Sequence, residues 1–196
     1  MSAAKRVRLD PEVRREQLLQ LGVEMLATRT LDELSIDLLS EEAGISRGLL
    51  FHYFKNKQDF HRAVVQRAAA NLIERTEPDR ALDPMPRLML SLEHYIDYVI
   101  ANHRGYIALV RGAASGDAAL REIFDQTRDA LTLRITAHLA AFGAQDTPAV
   151  RLLARGWLAM AEEVVLAWVP DPHISKEELL RILAAALPAL LATSHG

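Results

Sequence analysis

Between Arg47 and Lys57 the chain sets three cations, Arg47, Lys55 and Lys57, beside Phe51, His52, Tyr53 and Phe54. Those residue types at that density do recognition chemistry rather than bond-breaking chemistry. A guanidinium pairs bidentately with a guanine edge, an ammonium pairs with a phosphate, and an aromatic ring contacts a thymine methyl. The surrounding stretch, EEAGISRGLLFHYFKNK, adds Gly44 in mid-run, Ser46 just after it and Asn56 near its end. Local clusters of this kind let a near-neutral protein meet a polyanion.

No catalytic arrangement competes with this segment. The seven histidines, at positions 52, 61, 94, 103, 138, 173 and 195, include no pair four residues apart beside a Glu, so there is no HExxH zinc site. No P-loop, GxGxxG or GxSxG occurs. The expectation is therefore a non-enzyme with no metal and no cofactor. Glu162 and Glu163 are paired acids in the otherwise apolar WLAMAEEVVLAWV. They read as rim charges of an interface, or one of them lines a pocket and favours a cationic effector.

The 196 residues suffice for one or two domains with a real core. Cysteine is absent, which excludes disulfides and thiol ligands and fits a reducing cytoplasm. No apolar run approaches the ~18 residues of a membrane span. Net charge is −3, but it is unevenly spread: twelve Lys/Arg face eleven Asp/Glu up to Arg75, against eleven and fifteen beyond it. Strand signals are nearly absent, whereas helical spacing recurs, as in Leu120, Phe124, Leu131, Ile135, His138 and Leu139. Breakers fall at residues 30–33, 44, 55–56, 77–86, 112–117, 143–148 and 170–175, implying an all-α chain of about nine helices. The proline-rich EPDRALDPMP marks the best boundary. The expected divisions are a basic arm over 1–10, a binding domain over 11–56, a connecting helix over 57–76 and a second domain over 77–196.

Three helices must position the opening cluster. Ser35 can cap the first, with Ile36, Leu39 and Ala43 inward, and Gly44 can end it in a left-handed conformation. Ser46 can cap a second, with Ile45, Leu50 and Phe54 inward; Asn56 can cap a third, with Asp59 in its first turn. This is the helix-turn-helix plan, whose second helix enters the major groove. Arg47, Gly48, Phe51 and His52 then face outward. Gly48 lets the backbone approach DNA, while Lys57 joins the free N–H groups of the next helix in a phosphate-binding corner. Tyr53 reads as a phosphate contact and Phe54 as core; His52 reads a base or is simply solvated. Ser35, Ser46 and Leu49 complete the DNA-contacting set. Lys5 to Arg8 are a solvated arm or one that enters the minor groove.

The stretch SIDLLSEEAGISRGLLFHYFKNKQDFHRAVV resembles the DNA-binding signature of the TetR family of bacterial transcriptional regulators. AGIS, the Leu-aromatic-x-Tyr-Phe element and the Asn-Lys pair occur in register, and the resemblance covers roughly residues 13 to 65. It implies an all-helical dimer with an N-terminal three-helix DNA-binding domain, a ligand-binding and dimerisation domain after it, and a small effector that usually releases DNA. Phe51 stands where the family usually has Tyr, and Thr30-Leu31 where a Gly-aromatic pair often closes the first helix.

In the second half, Arg181 is the one charge between Leu179 and Thr193, and the segment 147–169 is similarly apolar. Two such helices need cover on more than one side. Either they pair with their copies in a second subunit as a two-fold four-helix bundle, or both are central in one large core. Ser175 with Glu178 gives a capping box for the last helix, and Pro188 should kink it. Met89, His94, Tyr95, Tyr98 and Tyr106, with Trp157 and Glu162, are the candidate effector-binding residues, although plain core is the alternative for each. The expected protein is a cytoplasmic homodimeric DNA-binding regulator, a repressor on a pseudo-palindromic operator. The alternative is a helical ligand-binding protein or enzyme that has lost DNA binding.

Overall fold

The computed structural model describes residues 10–114 and 117–192. The arm Lys5 to Arg8 lies outside the described residues. Within them the chain forms nine helices and no strand: α1 (Pro11–Leu26), α2 (Ile36–Glu42), α3 (Arg47–Tyr53), α4 (Lys57–Arg75), α5 (Pro84–Ala101), α6 (His103–Ala114), α7 (Ala118–Ala140), α8 (Pro148–Trp168) and α9 (Lys176–Ala192).

Side-chain caps set most of the starts. Asp10, Ser35, Ser46, Asn56, Asp117 and Thr147 each accept a hydrogen bond from a backbone N–H of the first turn, a contact worth ~1 kcal/mol. Ser175 does the same for the Glu178 N–H at 3.2 Å. α5 starts at Pro84, earlier than the prolines suggest, because first-turn N–H groups have no partner within the helix and a proline there loses nothing. α6 runs through Gly112, and α9 continues past Pro188.

Two main cores result. The first joins α1 to α4 around Leu18, Leu34, Leu39, Leu50, Phe54 and Phe60. Phe54 and Phe60 meet edge to face at 5.1 Å between centroids, and both are fully buried, contributing ~1.5–3 kcal/mol each by burial. α1 crosses α4 very closely: a Cβ on Gly22 would lie 2.6 Å from Val64 Cγ2. The second core is built from α5, α7, α8 and α9 around Ile96, Leu139, Val165 and Leu183. Between them lies a small apolar joint of Val65, Ala69, Leu109, Leu120 and Ile123. Polar ties cross the same joint. Tyr98 donates to the Ala68 carbonyl at 2.7 Å, Arg104 donates to that of Thr28 at 2.9 Å, and Arg134 donates to that of Ile73.

Candidate nucleic-acid interface and ligand cavity

The α2–α3 corner is held by short local contacts. Gly44 takes φ 62°, a region L side chains rarely adopt, and lets the chain reverse between α2 and α3. The Ser40 hydroxyl donates to the Ile45 carbonyl at 2.9 Å and closes that turn from inside. The Ser46 hydroxyl caps α3 by accepting from Leu49 N–H at 3.3 Å. Leu50 and Phe54 are fully buried, and Ile45 packs half-buried against them. The opposite face of α3 is therefore solvent-facing: Arg47, Gly48, Leu49, Phe51 and His52 are all exposed, Phe51 at 53%. Tyr53 is half-buried against the first core, with its ring edge-on to His52 at 5.4 Å. Ser35 is half-buried and caps α2.

Arg47 carries a contact that its sequence neighbours do not disclose. Its Nε lies 2.5 Å from Asp37 Oδ1 on the first turn of α2, and both side chains are largely exposed. Such a pair is worth ~0–1 kcal/mol, so a phosphate or guanine edge competes for the guanidinium easily. Asp37 therefore holds the Arg47 guanidinium at the exposed face of the corner, and its place in the first turn of α2 is the signal that could have identified it.

The start of α4 forms a second corner. Asn56 accepts from Asp59 N–H at 2.8 Å, and Asp59 accepts from Lys55 N–H at 3.0 Å. The Lys55 backbone hydrogen bond holds the Asp59 carboxyl below its ordinary value, with Arg62 adding to it. Lys57 extends from this corner, exposed, and donates to the Asp32 carbonyl at 3.0 Å. His61 on the next turn lies 2.6 Å from the Leu34 carbonyl, tying α4 to the start of α2. Burial pushes its imidazole below the ordinary value, outweighing the Leu34 contact. Arg47 and Lys57 thus stand on two helices locked to one core, with no need of a loop to aim either.

The effector candidates do not share one place. A cavity of about 80 Å³ opens between α5, α7 and α8 and the end of α4. Its wall includes Tyr95 and Trp157, together with Thr76, Ser91, Arg134 and His138, which the aromatic pattern did not reveal. Met89 is half-buried against the second core but outside this wall, and His94 is exposed. Tyr98 and Tyr106 line a separate, smaller void next to α1 and α4. Trp157 also donates its indole N–H to the Leu183 carbonyl at 3.0 Å, fastening α8 to α9.

Glu162 lies behind the cavity rather than in its wall. The Tyr106 hydroxyl donates to Glu162 Oε2 at 3.1 Å, and the Tyr95 and Tyr106 hydroxyls are 3.2 Å apart. Burial raises the Glu162 carboxyl above its ordinary value, against the pull of Arg128 and of the Tyr106 hydroxyl. Burial also raises both tyrosines, so they stay protonated. Glu163, its neighbour, is exposed. Among the described residues a cationic ligand would find no acidic wall here, because Glu162 is already engaged and the wall carries Arg134.

Known proteins share this plan. Residues 18–64 match the family model described as bacterial regulatory proteins of the tetR family, and residues 84–190 match the tetracyclin repressor-like C-terminal domain. A solved tetR-family transcriptional regulator from Streptomyces coelicolor is 33% identical, with a TM-score of 0.84 over 95% of this chain and 83% of that one. The HTH-type transcriptional activator FasR of Mycolicibacterium smegmatis is 23% identical over 173 residues, 87% of this chain and 79% of that protein. The transcriptional regulator FadR from Bacillus subtilis, solved in complex with stearoyl-CoA, is 20% identical with a TM-score of 0.66, covering 89% of this chain and 96% of that one. With both halves matched in order around an outward-facing α3, the chain belongs to the TetR family of bacterial transcriptional regulators.

Proposed function

We propose that the protein is a cytoplasmic homodimeric repressor that reads a pseudo-palindromic operator and leaves it when a small, mostly apolar effector fills the cavity behind α4. The observation that carries this reading is the outward face of α3, where Arg47, Gly48, Leu49, Phe51 and His52 lie exposed on a helix whose other side is locked into a core. One α3 per subunit would enter successive major grooves, with Arg47 at a guanine edge, Phe51 on a thymine methyl, and Lys57 and Tyr53 on the flanking phosphates. Release has a physical route. Thr76 and Pro78, just past the end of α4, line the cavity, while Lys57 stands at the other end of that helix, ~28 Å away. A ligand that displaces the far end tilts the near one. Repression follows from occupancy of the operator, and its relief from this tilt.

The test is a titration of the protein's own upstream DNA at two salt concentrations. Arg47→Ala is expected to weaken specific binding by ~1–3 kcal/mol and relax base choice, with nonspecific binding little changed. Lys57→Ala is expected to weaken binding to every sequence and to flatten the salt dependence by about one unit of slope. Variants that bind as the parent does would contradict the reading. The engagement of Arg47 by Asp37 favours one rival, a ligand-binding protein that no longer reads DNA. In that case the parent shows no sequence-specific shift at all.

A further inference from the structure

Two residues in the wall of the cavity between α5, α7 and α8 each carry a polar atom without a partner. Ser91 Oγ on α5 and His138 Nε2 on α7 are both buried and make no hydrogen bond among the described residues. His138 is 8% exposed as a whole residue and belongs to the cavity wall, as does Ser91. Leaving such atoms unpaired costs ~1–3 kcal/mol each, so two at one wall describe a site shaped for something else. The rest of the wall is apolar: Leu88, Leu92, Leu131, Ile135, Leu158 and Ala161.

The charged side chains one turn away from these two atoms on their own helices are both arginines. Arg134 lies one helical turn before His138 on α7, and Arg87 lies one turn before Ser91 on α5. Arg134 is part of the wall; Arg87 acts on His138 directly, adding to the burial that keeps the imidazole below its ordinary value. Arg134 is paired with Glu77, whereas Arg87 donates to the carbonyls of Arg80 and Leu82, which carry no formal charge. No Asp or Glu is among the described residues of the wall. A cation is disfavoured in that field, and a wholly apolar ligand leaves both orphan atoms unpaired.

Resting on the reading of this cavity as the effector site, we propose that it takes a compact monocarboxylate whose carboxylate accepts hydrogen bonds from the Ser91 hydroxyl and the His138 Nε2–H. The size of the space limits the rest of the molecule. The cavity's 80 Å³ holds roughly five to eight waters, the bulk of about ten non-hydrogen atoms, which suits a medium-chain or aryl-alkyl acid. The apolar tail lies along Leu92, Leu131 and Leu158, and Tyr95 and Trp157 bound it.

Calorimetric titration of the full chain with octanoate and with 1-octanol tests this, since the two match in length and differ in head charge. Octanoate is expected to bind at least about tenfold more tightly than octanol, a difference of ~1.4 kcal/mol. Ser91→Ala and His138→Phe are each expected to abolish that preference, the octanoate affinity falling to that of octanol for the same variant. Circular dichroism checks that each variant folds; should His138→Phe fail to, Ser91→Ala decides alone. Equal affinities in the parent, or a full preference retained by Ser91→Ala, overturn the proposal. Octanol binding without octanoate binding overturns the carboxylate and leaves an effector cavity standing. Binding of neither removes the cavity as a ligand site, and an operator titration run alongside shows that DNA reading stands or falls separately.

Discussion

At Gly48, packing inside the chain and the proposed contact with DNA make opposite demands. A Cβ built there meets nothing nearer than Ser46 Oγ at 3.9 Å, so the fold itself does not ask for a glycine. Alanine in its place should stabilise α3 by up to ~1 kcal/mol, raising the melting temperature by about 2–4 °C. On a helix seated in the major groove, the same methyl stands between backbone and DNA. Gly48→Ala is therefore expected to melt higher and to bind its operator about tenfold more weakly, measured by thermal melting and by fluorescence anisotropy. A variant that gained stability and kept its affinity would place α3 further from the duplex. The outward direction of Arg47 could be read from the sequence, because Leu50 and Phe54 fix the inner face by helical spacing. Its pairing with Asp37 could not, since that contact depends on how α2 and α3 cross at Gly44.

Among the helices, the relay from Tyr95 through Tyr106 to Glu162 links α5, α6 and α8. α6 in turn touches the DNA-binding half: a Cβ on Gly105 would lie 3.0 Å from Leu26 Cβ on α1. Because Glu162 is raised, the folded chain holds that proton more tightly than the unfolded chain does. This favours folding below the ordinary value of 4.5, and the advantage is lost as pH rises through the folded value. Glu162→Gln keeps an acceptor for Tyr106 and removes the charge. It is expected to be the more stable protein at neutral pH, by about 2–4 °C for each kcal/mol relieved, and to match the parent below pH 4.5. A lower melting temperature at neutral pH would mean that the attraction of Arg128 outweighs burial. The caps at Ser35, Ser46, Asn56 and Ser175 were legible because each depends on a few consecutive residues. The cavity was not, because its wall is assembled from four segments far apart in the chain, the end of α4 and faces of α5, α7 and α8. Helical spacing named Tyr95 and Trp157, but it equally named Tyr98 and Tyr106, which face the joint with the DNA-binding half instead.

For the whole molecule, an apolar stripe on α8 points away from both cores. Leu152, Gly156, Met160 and Val164 recur every fourth residue and are exposed, Leu152 at 72%, and Ile182 on α9 is exposed as well. A Cβ on Gly156 meets nothing within 4 Å, leaving room for a close helix. Such a face suits a two-fold contact with a second copy. Leu152→Glu costs the fold little because the side chain is already in solvent. In sedimentation the parent is expected as a dimer and this variant as a monomer, with operator affinity lowered at least about a hundredfold through lost bivalency. The fold class and the outward α3 were both visible in the sequence, where the resemblance was densest. The most direct measurement is a hydroxyl-radical footprint on the protein's own upstream DNA. Two protected patches on one face of the duplex are expected, with centres about 34–36 Å apart and matching half-site sequences. Protection that ignores sequence, or none at low salt, would contradict the assignment of α3 as the reading helix.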